Sequence, residues 1–489
     1  MSDVAQLLVP ALRWDPAAGF DNERQRIEQA LAMGVGGFIL FGGEQEAVRA
    51  LTKSLQLRSR VPLLIGSDME RGAGQQFSGA TALPPLAAIA SLGDADLVRR
   101  AARLTAREAR TLGVNWDYAP VCDLDVVPEN PIVGTRSLGG DPAVVAKLAA
   151  EWVDACQAEG VLACAKHFPG HGRTTVDSHA ALPVVTATAE TLHSADLLPF
   201  RATIDAGVAS IMTAHVAYPA LDPSGAPATL SREILQWLLR QRLKFDGLIV
   251  TDALIMEGVL EGQQGGEAGA SVRAVQAGCD LLLYPNDLKA VEAALSQAVQ
   301  GGTIDRERVH RSIRRRLKWA QWASPPNDYR RPSGTDMLWG ALVADRCIHV
   351  VAGAPRPVGP VAEVVVVDDD LGGPYPPPSR QTFFDALAAE GRDVRHVDEP
   401  TAASRGALIV ALFGDIRSWK GRPGYSAAAR ATVAAACDAA RRQARDAIVV
   451  QFSHPRLAAE VDGASTIVCA WGGEPVMQGA AARWLAKNC

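Results

Sequence analysis

The sequence predicts an α/β protein, a (β/α)8 TIM-type barrel followed by a smaller α/β sandwich domain, and three observations lead there. Short β-branched or apolar runs alternate with longer Ala/Leu/Arg-rich stretches, the rhythm that repeated βα units around a parallel sheet impose. Several of those runs end abruptly in charged residues, as strands do at the mouth of such a barrel. A Pro-rich polar break then precedes a second, shorter series of alternating runs.

In chain order, the strand-like runs of the first part are residues 4–9, 37–41, 63–67, 114–118, 162–166, 209–213, 248–251 and 280–283, with helical patterns such as 95–112, 143–159 and 231–243 between them. Eight strands match one closed barrel. After the basic helix 306–322, the stretch Ser324-Pro325-Pro326-Asn327-Asp328 and then Arg331-Pro332-Ser333-Gly334 reads as a linker. The expected division is therefore a barrel over residues 1–323, a linker over 324–336 and a sandwich over 337–489. Runs 364–367, 407–412, 448–451 and 466–469 alternate with helical stretches 380–390, 427–445 and 475–487 in that last part. Gly372-Gly373-Pro374 is followed by Tyr375 and three prolines, which cannot open a helix, so the sandwich carries no phosphate-binding fingerprint.

Composition narrows the function classes. The chain has 489 residues, 48% hydrophobic and 21% charged, enough for ordinary globular cores and two domains. Its 49 basic and 54 acidic residues leave a net charge of −5 with no basic block, so a nucleic-acid partner is not expected. The N-terminus lacks a basic n-region, and no apolar stretch reaches membrane-spanning length. The eight cysteines are scattered singly without a C-x-x-C pair, which suits a reducing compartment. A soluble, cytoplasmic protein is the expectation.

The strand ends carry the candidate chemistry: Asp68, Glu70 and Arg71 after the third run, Asp123 and Asp125 after the fourth, Lys166-His167 after the fifth, His215 after the sixth and Asp252 after the seventh. Each alone could be a cap or a helix-start carboxylate. Three of the nine histidines fall in Lys166-His167-Phe168-Pro169-Gly170-His171-Gly172 and Val176-Asp177-Ser178-His179. His167 and His171 have i, i+4 spacing, but Pro169-Gly170 breaks the helix that would make them a metal pair, and no metal is expected. A serine triad fails too, because Asp177, Ser178 and His179 are consecutive and neighbours in an extended chain point to opposite sides. Asp177 and His179 share a side, where the carboxylate can fix the tautomer of an acid/base imidazole. Asp252 could be nucleophile, metal ligand or N-cap on spacing alone. A strand-end carboxylate together with a loop acid/base nevertheless fits glycoside chemistry.

The motifs Ser67-Asp68-Met69-Glu70, Asn115-Trp116-Asp117-Tyr118-Ala119-Pro120-Val121-Cys122-Asp123, Ile132-Val133-Gly134-Thr135-Arg136-Ser137, the stretch from Lys166 to His179, and Thr251-Asp252 through Met256-Glu257-Gly258 resemble the family 3 glycoside hydrolases, in their β-N-acetylglucosaminidase branch. The resemblance covers the whole expected barrel. It implies Asp252 as nucleophile, His179 as acid/base and Asp177 as its partner, with Asp68, Arg136, Lys166 and His167 holding the sugar. It implies no cofactor. Two departures bear on specificity: the family's Glu-Gly-Gly-Arg and further arginine become Glu70-Arg71-Gly72-Ala73 and Gln76, and Arg173 replaces a common aspartate.

The resulting expectation is a retaining, exo-acting β-N-acetylglucosaminidase working by double displacement on cell-wall-derived fragments. A glycoside phosphorylase or β-glucosidase on the same scaffold is one alternative, since a neutral histidine repels an anionic acceptor less than a carboxylate would. A non-catalytic sugar-binding or regulatory protein is the alternative from another class. In the sandwich, Trp419 and Tyr425 are the exposed-loop aromatics that could wall a subsite, though such residues more often pack.

Overall fold

The computed structural model describes residues 3–178, 180–260, 264–323, 333–372, 377–401, 404–417 and 420–489. Two compact units emerge, one of Met1–Thr81, Ala95–Val127 and Ser137–Ser333, the other of Ala82–Asp94, Pro128–Arg136 and Gly334–Cys489. Two stretches placed in the barrel by sequence are thus counted with the second unit. A helix, Gly334–Cys347, also begins inside the stretch read as linker.

The first unit is built on β1 (Leu8–Val9), β2 (Ala11–Arg13), β3 (Gly37–Phe41), β4 (Leu64–Ser67), β5 (Trp116–Asp117), β6 (Leu162–Phe168), β7 (Ser210–Thr213), β8 (Leu248–Val250) and β9 (Leu282–Leu283). Strands β2 to β8 pair side by side, all parallel, and β1 pairs with β9. A parallel bridge between Val250 and Leu281 joins β8 to the residue preceding β9, while Pro10 alone separates β1 from β2. The ring closes. Inside it Trp116 donates its indole N–H to Ser210 Oγ at 2.7 Å, among buried Ile39, Leu64, Leu162 and Val250.

One strand lies elsewhere than the sequence pattern implies. Residues 4–7, expected in the first strand, form part of a 3-10 turn, Asp3–Leu7, and the paired backbone runs from Leu8 to Arg13 instead. A short apolar run is equally compatible with a buried helical turn, and periodicity cannot separate the two. The expected helix over 231–243 is a π-helix, Glu233–Arg242.

Helix Arg306–Trp322 is bolted to the ring by buried charge. Arg316, fully buried, donates to the Pro62 carbonyl at 2.6 Å and Gln6 Oε1 at 2.7 Å. A Cβ at Gly36 would lie 2.6 Å from Arg316 Cδ and 2.0 Å from the Gln6 carbonyl oxygen, so only glycine admits that approach. Asp280, also fully buried, takes Arg240, Arg308 at 3.0 Å, Ser312 Oγ at 2.7 Å and the Ile249 N–H at 3.0 Å. Burial opposes its charge, but the guanidinium groups of Arg240, Arg308 and Arg315 prevail and hold its carboxyl down to about 2.

The second unit is an open sheet ordered β10-β15-β14-β13-β11-β12, where β10 is His349–Gly353, β11 Val361–Asp368, β12 Asp393–His396, β13 Leu408–Phe413, β14 Ala447–Phe452 and β15 Thr466–Cys469. All pairings are parallel except that of β10. Leu408, Val410 and Leu412 face helix Ala427–Arg442 on one side, and Ile409, Ala411 and Phe413 join Phe383 and Met477 on the other. A continuous apolar strand is what burial on both faces requires. The edge strands β10 and β12, mostly exposed and partly charged, gave no such signal. Tyr425, expected on an exposed loop, is buried with its hydroxyl 2.5 Å from Ser453 Oγ, and Trp419 lies outside the described residues. All eight cysteines are free thiols, seven of them buried. Among the described residues no helix is long and apolar enough to cross a membrane.

Asp280→Ala strands three guanidinium groups around an apolar hole, and breaking such a buried pair costs about 3–5 kcal/mol. Denaturant unfolding at neutral pH is expected to show that loss. The carboxyl is depressed in the folded state, so its contribution is complete above the ordinary aspartate range and disappears as pH falls toward about 2. The gap between wild type and variant should narrow in that direction.

Candidate active site

Parallel closure brings the outgoing ends of the barrel strands to one rim, where the polar residues after β4, β5 and β8 meet Lys166 and His167, which lie among the last residues of β6 itself. Lys166, on β6 and fully buried, donates to Asp68 Oδ1 and reaches Glu70 Oε1, both at 2.7 Å. A buried ammonium requires such partners. Glu70 is nearly sealed, whereas the Asp68 side chain keeps 29% exposure.

Next to Lys166, His167 faces two carboxylates. Its Nδ1 lies 2.6 Å from Asp123 Oδ2, and its Nε2 lies 3.9 Å from Asp252 Oδ2. Asp123 Oδ1 also accepts the backbone N–H groups of His167 at 3.1 Å and His171 at 2.6 Å. Burial acts to raise the Asp123 carboxyl, yet the His167 imidazole, together with His171 and its backbone N–H, brings it below the usual carboxylate range. An anionic Asp123 requires a hydrogen on Nδ1 of His167, which leaves Nε2 toward Asp252.

Asp252 stands two residues beyond the end of β8, its Oδ1 accepting the Ala253 N–H at 2.7 Å. The loop after β6 is tied to this segment, because the Gly258 N–H donates to the Ser178 carbonyl at 3.0 Å. A Cβ at Gly258 would meet three carbonyl oxygens, of Ser178 at 2.8 Å, His215 at 3.1 Å and Ala181 at 3.2 Å. Asp177 is buried, and its carbonyl accepts the N–H groups of Ala180 and Ala181. These bonds tie Ala180 and Ala181 back to Asp177. His179 lies outside the described residues.

The sites drawn together are thus Asp68, Lys166, His167 and Asp252. Arg136 ends a short 3-10 turn, Gly134–Arg136, in the segment counted with the second unit; its Nη1 is 3.4 Å from the Ile132 carbonyl, and Thr135 beside it donates to Asp415 Oδ1 at 3.1 Å. Asp123 and Glu70 are the residues whose part the sequence argument underrated. Both were visible as strand-end charge, but only the fold shows that one anchors the His167 loop and the other shares the lysine.

Both ring nitrogens of His171 meet hydroxyls, Nδ1 that of Thr174 at 2.8 Å and Nε2 that of Ser178 at 3.0 Å. Burial pushes this imidazole down to about 4, leaving it neutral at pH 7. Among the described residues no group of three or more His, Cys, Asp or Glu side chains is placed to hold a metal ion.

The profile of the glycosyl hydrolase family 3 N-terminal domain matches residues 2–318. The chain belongs to this family. It is 39% identical over 295 residues to a β-N-acetylglucosaminidase/β-glucosidase of Cellulomonas fimi, covering 58% of this chain and 51% of that one. The chain thus spans about half the length of that relative. A β-hexosaminidase of Thiobacillus denitrificans is 37% identical over 287 residues, covering 57% and 78%. Among solved structures, a family 3 β-N-acetylglucosaminidase from Paenibacillus superposes with a TM-score of 0.86 at 30% identity, covering 99% of this chain and 96% of that one.

Two of the departures from the family pattern, Arg173 and Gln76, make local side-chain contacts in this family 3 chain. Arg173 pairs with the buried Asp196 at 2.8 Å, so the guanidinium balances a carboxylate from the π-helical turn Leu192–Asp196. Gln76 Oε1 accepts the Gly42 N–H at 3.2 Å, tying its loop to the end of β3, and the Arg71 N–H donates to Gln75 Oε1 at 2.8 Å.

Below the lysine cluster, Asp117 of β5 accepts the Met69 N–H at 3.3 Å and is fully buried. Burial, reinforced by the nearby Asp68 and Glu70 charges against the pull of Lys166, raises its carboxyl to about 8. A raised carboxyl means the native state holds a proton that the unfolded chain releases near pH 4, so this residue costs stability progressively from about pH 4 to about pH 8. Asp117→Asn is expected to remove that slope. Unfolding curves at pH 5 and pH 8 should show the variant gaining on wild type at the higher pH.

Proposed function

We propose that the chain is a retaining, exo-acting β-N-acetylglucosaminidase that removes terminal β-linked N-acetylglucosamine by double displacement. The observation that carries this reading is the Asp252 carboxylate at the end of β8, aligned by the Ala253 N–H and facing the His167 that Asp123 holds. A strand-end carboxylate so oriented is suited to attack an anomeric carbon. The names of the relatives supply the sugar. In the first step Asp252 bonds to the anomeric carbon while protonated His179 donates to the leaving oxygen. Water, deprotonated by the same imidazole, then releases the sugar. A histidine pKa of about 6.5 serves both halves near neutral pH.

Asp177 is proposed as the charge partner of His179. Asp68, Lys166, His167 and Arg136 are proposed to bind sugar hydroxyls; the pairing of Lys166 with Asp68 supports offering a donor and an acceptor side by side. Cell-wall-derived fragments in the cytoplasm are the proposed source, supported by eight cysteines all present as free thiols.

Incubation with an aryl N-acetyl-β-glucosaminide, in water and in phosphate with products identified, tests the reading. Free N-acetylglucosamine in both media is expected. A sugar phosphate would make the protein a phosphorylase, and no turnover would make it a binder. Asp252→Asn should lower kcat by several orders of magnitude while sugar binding persists, whereas near-normal turnover would end the nucleophile assignment.

His179→Ala should cripple sugar leaving groups far more than activated aryl ones, because an acidic phenol departs with little protonation. Slow hydrolysis of the accumulated intermediate should also give a burst with the activated substrate. Equal losses on both substrates without a burst would move the acid/base role elsewhere.

A further inference from the structure

We infer that His215 is a positioning residue for the nucleophile: its imidazole holds the backbone carbonyl of Ala253, the residue whose N–H aligns the Asp252 carboxylate. The inference rests on the reading of Asp252 as nucleophile. Strand β8 ends at Val250, so the peptide groups that follow have left its regular ladder and need other partners. Several contacts fix them. The Thr251 N–H donates to the Leu281 carbonyl at 3.1 Å, the Ala253 N–H to Asp252 Oδ1 at 2.7 Å and the Leu254 N–H to the Leu283 carbonyl at 3.0 Å, while the Ala253 carbonyl accepts from His215 Nε2 at 3.1 Å and from the Met256 N–H at 3.2 Å. His215 is the side-chain donor among these contacts, and without it the Ala253 carbonyl keeps only the Met256 N–H, so the turn that carries Asp252 loosens and the orientation of the attacking oxygens changes with it.

The hydrogen on Nε2 follows from the neighbouring groups. A carbonyl only accepts, so Nε2 must donate. On the other side Nδ1 lies 2.7 Å from Thr229 Oγ1, which is in turn 2.8 Å from Thr213 Oγ1 and 3.0 Å from the Ala214 carbonyl. In a neutral ring the Thr229 hydroxyl donates to Nδ1 and accepts from Thr213. In a protonated ring Nδ1–H donates to Thr229, whose hydroxyl turns to the Ala214 carbonyl. Both arrangements leave Nε2–H on Ala253. The imidazole is fully buried, so this donor is shielded from water in either state.

Glutamine and asparagine separate positioning from packing. Glutamine extends an N–H donor to about where Nε2 sits, and asparagine reaches only about as far as Nδ1, although both are polar and of similar size. The probe is a 5-fluoro-N-acetylglucosaminyl fluoride, which forms the ester between Asp252 and the anomeric carbon as the C–F bond breaks. Fluoride leaves with the electron pair and needs no acid, so the rate of labelling isolates nucleophilic attack from His179.

In wild type, peptide mapping should place the label on Asp252. A label elsewhere, or none, would remove the nucleophile reading itself whatever His215 does. With the label on Asp252, His215→Gln should react within a few-fold of wild type and His215→Asn about 30-fold or more slower, since small misplacements of reacting groups carry such penalties. The half-saturating concentration of the fluoride should stay unchanged in both. Equal behaviour of the two variants, whether both fast, both slow or both unfolded, would overturn the inference.

Discussion

Closure of the parallel ladder is the constraint on which the candidate site depends. In a ring of parallel strands every strand leaves on the same rim, so residues far apart in sequence must converge there if they directly follow a strand. The ring here is completed by short contacts: β1 on β9, the bridge from Val250 to Leu281, and the Thr251 N–H on the Leu281 carbonyl at 3.1 Å. The last of these lies one residue before Asp252. The link that seals the barrel and the backbone that presents the candidate nucleophile are therefore the same few peptide groups.

Convergence concentrates charge, and the buried pairing of that charge shapes the rim. Lys166 sits between Asp68 and Glu70, and Asp123 collects one imidazole and two backbone donors. Each arrangement satisfies a group that would be costly to bury alone. Each also orients a neighbour. By binding the N–H of both His167 and His171, Asp123 shapes the turn containing Pro169 and Gly170 and sets the imidazole of His167 toward Asp252. Arg173 with Asp196 continues the same logic at the edge of the loop.

Much of this was legible in the sequence, because period and punctuation carry strand and helix information directly. β3 falls where the pattern put it, and β6, β13 and β15 lie within a residue or two, since buried apolar runs bounded by charge have few other uses. Residues 4–7 misled for the complementary reason, since Val4, Ala5 and Leu7 are apolar and buried yet helical. β12, with the sequence Asp-Val-Arg-His, was illegible because an edge strand need not be apolar. In the site, strand-end carboxylates announced themselves. Partnership did not: nothing in spacing says that Asp123 rather than Asp125 binds His167, or that His215 reaches Ala253, because those contacts cross between strands. The assignment of Pro128–Arg136 to the second unit depends likewise on contacts made far along the chain, such as Thr135 with Asp415.

The exposure of the carboxylates divides them by task. The side chains of Glu70 and Asp123 are 5% and 0% exposed and engaged with cations or backbone donors, whereas those of Asp68 and Asp252 keep 29% and 20%. Desolvation of the first pair was completed when the chain folded, compensated by Lys166 and His167. Only the second pair still meets water. A sugar entering this rim would therefore strip solvent from the two carboxylates proposed to touch it, while the groups that orient them are already fixed. Such preorganisation shifts the cost of alignment from binding to folding, and the binding energy of the substrate remains available for the transition state.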